Sequence, residues 1–191
     1  MLTGIVLCGG QSSRMGTDKA LLPHVSGSWA QLAATKLSTL SIPVVLSVNP
    51  SQYAIYQKIY STYTLVKDDP ALQVGGPLHG VLSVHVQYPE SDLFVLACDM
   101  INMQEEVLKE LYHQYQQANK EAYTFHNQEG AEPLCAIYTA KGLQKIYALY
   151  NRQQLQRHSL KYVLEQLDTQ SAAIPPEWIA GFANFNSPSD L

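Results

Sequence analysis

The chain is poor in the features that mark disulfide-linked and zinc-binding proteins. Only three of its 191 residues are cysteines. They stand far apart, as Cys8, Cys98 and Cys135, and without the spacing of metal ligands. An odd and scattered set of this kind predicts neither a disulfide framework nor a zinc site. We therefore expect three small, buried side chains at the ends of strands.

Long apolar runs and an excess of basic charge are also lacking. The apolar run near the beginning is interrupted at Cys8-Gly9-Gly10, and no later run approaches the ~20 residues of a membrane span. Only 15% of the residues are charged and the net charge is -4, which favours neither nucleic acid nor membrane as a partner. We expect a cytoplasmic protein with one domain, 1–191.

What the sequence does contain is a regular alternation of apolar runs with amphipathic segments. This alternation predicts the α/β fold class, as a single three-layer α/β/α domain with a mostly parallel sheet. The predicted strands are Leu2–Leu7, Val44–Val48, Thr64–Val66, Leu93–Ala97, Ala122–His126, Leu134–Tyr138 and one around Phe182–Phe185. Predicted helices include Trp29–Leu40, Gln104–Gln117 and Ser159–Leu167, and an irregular surface connection is predicted for Thr169–Ala180.

The segment after the first strand is typical of a phosphate-binding loop. Gly9 and Gly10 allow backbone amides to approach an anion, and Arg14 and Lys19 bring positive charge. A Walker A loop is excluded because the lysine does not directly follow the last glycine, Gly16. The glycine spacing also excludes the dinucleotide fingerprint. The predicted ligand is a polyphosphate.

A family resemblance rests on the same loop, which from Leu7 to Leu22 has the pattern Leu-x-Gly-Gly-x-Ser-x-Arg-Met-Gly-x-Asp-Lys-x-Leu-Leu. It resembles the loop of the molybdenum cofactor guanylyltransferases, which are MobA-type nucleotidyltransferases. The resemblance implies a Rossmann-like fold of the nucleotide-diphospho-sugar transferase type. It also implies Mg²⁺-dependent transfer of GMP from GTP to molybdopterin, or to its molybdenum form, which yields the guanine dinucleotide cofactor and pyrophosphate. Transient contacts with other proteins of molybdenum cofactor biosynthesis are implied as well.

The resemblance also implies roles for residues of the loop. Arg14 is assigned to the leaving pyrophosphate and Lys19 to the α-phosphate, both as catalytic residues. Nucleotide binding is assigned to Leu7, Cys8, Gly9, Gly10 and Lys19.

Asp99 follows the predicted strand Leu93–Ala97 closely, with only Cys98 between them. Ligands of open α/β sheets bind beyond the carboxyl ends of the strands, and Mg²⁺ prefers a few carboxylates together with substrate phosphates. The resemblance implies that Asp99 is the metal ligand, a catalytic residue and part of the nucleotide site. The alternative is that Asp99 merely caps the loop before Gln104.

A second candidate region follows the third predicted strand. The resemblance implies an aspartate ahead of a Gly-Pro-Leu turn, and counting back from Gly76 selects Asp69, with Asp68 as the alternative. Gly76 and Pro77 leave main-chain groups free to contact a nucleotide base. His79 is interpreted as structural, because the attacking phosphate is already ionised and needs no general base.

Two further candidates lie after the second strand and at the end of the chain. Ser47 stands where the family often has a nucleotide-binding asparagine, but Asn49 before Pro50 also fits an ordinary strand-to-helix turn. Asn184 and Asn186 resemble asparagines that line the pterin side of the family's cleft, and we expect both on one face of the last strand. The alternative is a polar terminal strand without a ligand.

Two other functions compete with guanylyl transfer. A molybdopterin cytidylyltransferase is the nearer one, although such relatives more often have Ala-Ala-Gly where this chain has Cys8-Gly9-Gly10, and they commonly lack the Asp18-Lys19 pair. The other is a nucleotide-binding accessory protein without turnover. Against it, the chain retains its candidate polar residues, which are Arg14, Lys19, Asp69 and Asp99.

Overall fold

A seven-stranded sheet forms the centre of the protein, whose computed structural model describes residues 1–9, 18–25 and 27–185. In chain order the strands are β1 (Leu2–Leu7), β2 (Pro23–His24), β3 (Gly27–Ser28), β4 (Val44–Val48), β5 (Thr64–Lys67), β6 (Asp92–Ala97), β7 (Ala122–Asn127), β8 (Gly130–Tyr138) and β9 (Thr169–Ala173). The short β2 and β3 pair only with each other. The other strands form the sheet in the order β5-β4-β1-β6-β8-β7-β9.

Helices connect most of these strands. The α-helices are α1 (Trp29–Ser38), α2 (Pro50–Ile59), α3 (Pro77–Gln87), α4 (Glu105–Gln117), α5 (Ala140–Asn151) and α6 (Leu160–Gln166), and Lys19–Leu21 and Pro176–Phe182 form 3-10 helices. Side-chain oxygens cap α1, α2, α5 and α6 by accepting hydrogen bonds from first-turn amides. Among the described residues, no helix combines the length and the apolar character that crossing a membrane requires.

Strands β5, β4, β1 and β6 are parallel to one another, so their carboxyl ends meet at one edge of the sheet. Parallel neighbours need crossover connections, which α1, α2 and α3 supply in turn. Beyond β6 the sheet is mixed, since β8 is antiparallel to both β6 and β7 and β9 is parallel to β7. Strands β8, β7 and β9 therefore widen the sheet beyond β6, while the carboxyl ends of β5, β4, β1 and β6 stay at one edge.

The core lies on both faces of the sheet. Successive residues of β1 alternate between the faces, so that Val6 packs with α1, α2 and α4, whereas Ile5 and Leu7 pack with α3, α5 and α6. Covering helices on both sides explain why β1 and β6 are continuous apolar runs. The predicted α/β class with a mostly parallel sheet is confirmed.

Two predictions for the last part of the chain are wrong. The stretch predicted as irregular, Thr169–Ala180, contains the edge strand β9 and most of the second 3-10 helix. An edge strand pairs on one side only, so the polar sequence Thr-Gln-Ser-Ala-Ala suffices. The strand predicted around Phe182–Phe185 is absent from the described residues, because Phe182 ends the 3-10 helix and packs against Phe125 with ring centroids 5.7 Å apart.

Candidate active site

The carboxyl edge of the parallel strands carries most of the candidate residues. Backbone hydrogen bonds continue the ladders one residue beyond the strands, from Cys8 N to Ser47 O (3.0 Å), from Asp68 N to Val48 O (2.9 Å) and from Cys98 N to Leu7 O (3.3 Å). The chain segments after β1, β5 and β6 therefore leave the sheet at the same level. The polar residues that follow these strands therefore lie at the same edge of the sheet.

Lys19 and Asp99 meet at this edge although 80 positions separate them. The Lys19 Nζ donates to Asp99 Oδ2 at 3.1 Å, and the two side chains are only 16% and 17% exposed. Lys19 opens the 3-10 helix that follows the loop, and Asp99 follows β6. The structure thus brings the two residues together, whereas their roles stay predictions.

Several predicted residues fall on parts of the chain that the structure does not describe. Gly10 and Arg14 of the loop, and Asn186 near the end, lie outside the described residues. Gly9 is described, and a Cβ built on it would lie 3.7 Å from both Asn49 N and Asp68 Oδ2. The described protein would accept a side chain there, so no contact among the described residues requires glycine at this position.

A cavity of about 570 Å³ opens beside Gly9. Its lining contains five of the ten predicted nucleotide residues, namely Leu7, Gly9, Ser47, Gly76 and Pro77. Residues that were not chosen complete the wall, namely Asn49, Pro50, Asp68, Val74, Gly75, His79 and Gly80. The volume lies within the range of small-molecule sites.

The two adjacent aspartates after β5 have different surroundings. Asp68 lines the cavity, and its Oδ1 is buried without a hydrogen-bond partner among the described residues. Asp69 instead forms a turn, since its Oδ1 accepts from Ala71 N at 2.9 Å and its amide donates to Ser83 Oγ at 2.8 Å. The geometry therefore favours Asp68, the alternative in the sequence analysis, as the carboxylate that meets a ligand.

Burial raises the pKa of Asp68 above the ordinary value, and the neighbouring His79 opposes that rise. The His79 Nδ1 lies 4.0 Å from Asp68 Oδ2. Its Nε2 lies 2.8 Å from the Asp69 carbonyl, which can only accept, so this nitrogen carries a proton. Because His79 holds the turn in this way, its geometry agrees with the structural interpretation.

The first turn of α3 closes the cavity on one side. Gly76 is the N-cap of α3 with a φ of 65°, a left-handed conformation that favours glycine, and Pro77 is the first helical residue. No side chain caps this helix. Pro77 has no amide hydrogen and the His79 amide donates to the Gly76 carbonyl at 3.1 Å, so the Leu78 amide is the first-turn donor that could meet a polar ligand.

The floor of the cavity is the contact between β4 and α3. Ser47 is 1% exposed, and a Cβ on Gly80 would clash with its Oγ. Asn49 is the N-cap of α2 and accepts from Gln52 N at 3.0 Å, which confirms the strand-to-helix turn considered for this segment. Both Ser47 and Asn49 line the cavity, so the choice between them stays open.

The last described residues pass beside Asp99. Phe185 N donates to Asp99 O at 3.2 Å, and the Phe185 ring contacts Trp29 edge to face, with centroids 6.4 Å apart. Asn184, which precedes this contact, is exposed. The segment is not a strand, and what places Asn184 near the candidate site is the backbone bond to Asp99.

The three cysteines are free and buried. Burial raises the pKa of Cys8 well above its ordinary value, and a hydrogen bond with the neighbouring Cys98 thiol adds to the rise. Burial also raises the pKa of Cys135, which lies inside β8 and not at a strand end as predicted. High pKa values keep the Cys8 and Cys135 thiols protonated and unreactive.

A metal ion would have few protein ligands at this edge. The described residues contain no group of three or more His, Cys, Asp and Glu side chains that could hold a metal. Mg²⁺ does not need such a cage, because it commonly takes one or two carboxylates, substrate phosphates and water. Asp99 supplies one such carboxylate at this edge, so the donor set fits a magnesium ion that arrives with a polyphosphate.

Comparison with known proteins gives consistent results. The family model of the MobA-like NTP transferase domain matches residues 4–170. The chain is 31% identical over 190 residues to a molybdenum cofactor biosynthesis bifunctional protein of Synechocystis sp.; the match covers 99% of this chain but 52% of that protein, so the chain spans about half of its length. It is 30% identical to a probable molybdenum cofactor guanylyltransferase of Trichormus variabilis, with 100% of this chain and 88% of that protein covered.

A solved structure has the same fold. The molybdopterin-guanine dinucleotide biosynthesis protein A of Archaeoglobus fulgidus superposes with a TM-score of 0.79 at 20% identity, and the match covers 99% of this chain and 94% of that chain.

Proposed function

Because the chain belongs to the MobA-like NTP transferase family, we propose that it transfers GMP from GTP to molybdopterin, or to its molybdenum form, and releases pyrophosphate. The names of the full-length relatives support this choice of substrates. The observation that carries the proposal is the contact between Lys19 and Asp99 at the sheet edge where Leu7 and Gly9 line a cavity of about 570 Å³. A cation and an anion held together at the same edge as a nucleotide-sized cavity suit the transfer of a charged phosphoryl group.

The reaction requires little covalent chemistry from the protein. The terminal phosphate of molybdopterin attacks the α-phosphorus of GTP in line, and pyrophosphate leaves on the opposite side. Lys19 stabilises the charge that develops on the α-phosphate, while Gly9, Gly10 and Arg14 bind the β- and γ-phosphates. A unit charge ~4 Å from a phosphoryl oxygen contributes about 4 kcal/mol at an effective dielectric constant near 20. Positioning and charge neutralisation therefore supply most of the catalysis.

Asp99 would hold Mg²⁺ together with the phosphates of GTP. A bound magnesium ion supplies charge neutralisation on the phosphate oxygens. Lys19 keeps the Asp99 carboxylate oriented toward the phosphates before they arrive, since it already donates to Oδ2 at 3.1 Å. This direct contact limits the rearrangement that binding requires.

Asp68 completes the nucleoside part of the site. Its unpartnered, buried Oδ1 can accept a hydrogen bond from a ribose hydroxyl or from an N–H group of the base, which would remove the cost of leaving it unpaired. Main-chain groups at Gly76 and in the first turn of α3 would contact the base edge. Asp69, which the sequence analysis preferred, keeps its role in the turn.

The second substrate would approach over Asn184, beside Asp99. Nucleotide and acceptor would then meet at the Lys19–Asp99 pair from two sides. We further infer that residues 1–191 form one nucleotidyltransferase domain that works in the cytoplasm, where GTP is made, and that it meets other proteins of the molybdenum cofactor pathway only transiently.

Two measurements test the proposal. Isothermal titration with GTP, CTP and ATP, each with Mg²⁺, should give the lowest Kd for GTP, and tighter binding of CTP would favour the cytidylyl alternative. Mixing GTP with molybdopterin should release pyrophosphate. Binding of GTP without any release would support an accessory protein in place of an enzyme.

A further inference from the structure

We propose that Gln52 of α2 is a positioning residue that ties together the two ends of the segment between Gly9 and Asp18 and thereby sets the position of Lys19. The proposal rests on the proposed function, since it assumes that Lys19 meets a nucleotide. It concerns only described residues on either side of that segment.

Gln52 contacts both ends of the segment with one nitrogen atom. Its Nε2 donates to the Cys8 carbonyl at 3.1 Å and to Asp18 Oδ2 at 2.7 Å. Residue 8 precedes the glycine pair and residue 18 precedes Lys19, so one side chain joins the beginning and the end of the loop. Gln52 is 8% exposed, which protects these bonds from water.

The orientation of the Gln52 amide follows from its other atom. Oε1 accepts from Asn49 N at 3.0 Å as part of the capping box at the start of α2. An amide oxygen that accepts there leaves Nε2 for the two acceptors, and the opposite orientation would oppose like groups at each contact. Gln52 therefore caps α2 through Oε1 and contacts Cys8 and Asp18 through Nε2.

Asp18 connects the Gln52 contact to Lys19, the next residue in the chain. Its Oδ2 also accepts from the Tyr56 hydroxyl at 2.9 Å, and its Oδ1 accepts from Ala20 N at 3.2 Å as the N-cap of the 3-10 helix. The Asp18 carboxylate is therefore engaged on both oxygens by the protein itself. We assign it to orienting the first turn that carries Lys19, and not to a ligand.

A stripe on α2 supplies the partners. Gln52 and Tyr56 are four positions apart on one face of the helix, and Tyr60, four positions further, is its C-cap. Tyr60 continues the contact by donating to the Ala20 carbonyl at 3.2 Å. Burial raises the pKa of Tyr56 far above its ordinary value, so its hydroxyl stays protonated and remains a donor. Side chains of α2 and of its C-cap thus form hydrogen bonds with Asp18 and Ala20, on either side of Lys19.

The test replaces the donor and keeps the helix cap. Gln52→Glu retains an oxygen for the Asn49 amide but loses the Nε2 donor to Cys8 and Asp18. Gln31 is a matched control, because it is the third residue of α1 and forms the same capping box with Ser28, without contacting the loop. Isothermal titration with GTP and Mg²⁺ measures the Kd of each variant, and thermal unfolding measures its Tm.

We expect Gln52→Glu to raise the Kd for GTP about 10- to 100-fold, the scale of one buried group left unpaired, and Gln31→Glu to leave it unchanged. Tyr56→Phe removes one donor to Asp18 and should raise the Kd about threefold to tenfold. It provides a result even if Gln52→Glu does not fold.

Measurements in a Lys19→Ala background distinguish a positioning role of Gln52 from a merely structural one. If Gln52 acts through Lys19, Gln52→Glu should change the Kd less than threefold in a Lys19→Ala background, because the group it positions is gone. Equal losses in both backgrounds, or a wild-type Kd in Gln52→Glu and Tyr56→Phe, would overturn the proposal. Failure of the wild-type protein to bind GTP would instead contradict the proposed function.

Discussion

The carboxylates of Asp99 and Asp68 end two parallel strands of the same sheet edge, and their surroundings differ. Asp99 has a counter-ion within the chain, since Lys19 lies 3.1 Å away. Asp68 has an oxygen without a partner among the described residues, and the His79 imidazole lies 4.0 Å from its other oxygen. The Lys19–Asp99 corner is therefore assembled before any ligand binds, whereas the Asp68 corner is completed by one.

Among the substitutions that test this comparison, replacement of Lys19 should have the largest effect on activity. Lys19→Ala deletes the preassembled charge, and we expect kcat for guanylyl transfer to fall about 10²- to 10³-fold, as for a lost transition-state donor. Steady-state kinetics with GTP and molybdopterin measure the change. Lys109→Ala is a control, because this exposed lysine pairs only with Glu105 on the surface; a wild-type rate in Lys19→Ala would disprove the assignment.

Replacement of Asp68, compared with the same replacement of its neighbour Asp69, should have the next largest effect on activity. Asp68→Asn changes the atom that faces the cavity, so we expect kcat/KM for GTP to fall roughly 10- to 100-fold, the scale of one buried charged hydrogen bond. Asp69→Asn keeps an oxygen for the Ala71 amide and should change kcat/KM less than about threefold. The reverse ranking would restore Asp69 as the ligand-binding residue.

The same Asp68→Asn variant should gain about 1 kcal/mol of stability at neutral pH, because an unpaired buried carboxylate destabilises the fold. The folded pKa of Asp68 lies above the ordinary 3.8, so wild-type stability falls as the pH rises through the folded pKa. The gain should therefore be complete above that pKa and vanish below pH 3.8. Urea unfolding at several pH values measures it, and Asp69→Asn should show no such trend.

The sequence predicts the parallel half of the fold better than the remainder. β1, β4 and β6 are continuous apolar runs between helices, and the structure places these strands within one residue of their predicted bounds. β9 could not be found in this way, because an edge strand with one neighbour needs no apolar run. The pattern of residues 182 to 185 predicted a strand that the described structure does not have, because Phe182 is buried at the end of a 3-10 helix.

Within the candidate site, proximity was predictable and orientation was not. Lys19 and Asp99 were expected at one edge from the direction of parallel strands, which the sequence encodes. Asp69 was selected by counting back from Gly76, yet β5 runs through Lys67 and its ladder continues to Asp68. The end of a strand, and not the distance to the next turn, decides which carboxylate faces the cavity.

The close approach of α3 to β4 restricts how the cavity could change in related sequences. Ser47 is almost fully enclosed, and Gly80 leaves no room for even one methyl group above it. Enlarging either residue would push the helix off the sheet and displace the first turn that faces the ligand. A shift in base preference during evolution would therefore have to arise at the rim, at Asn49, Val74 or Gly75, where the wall can vary while the floor stays the same.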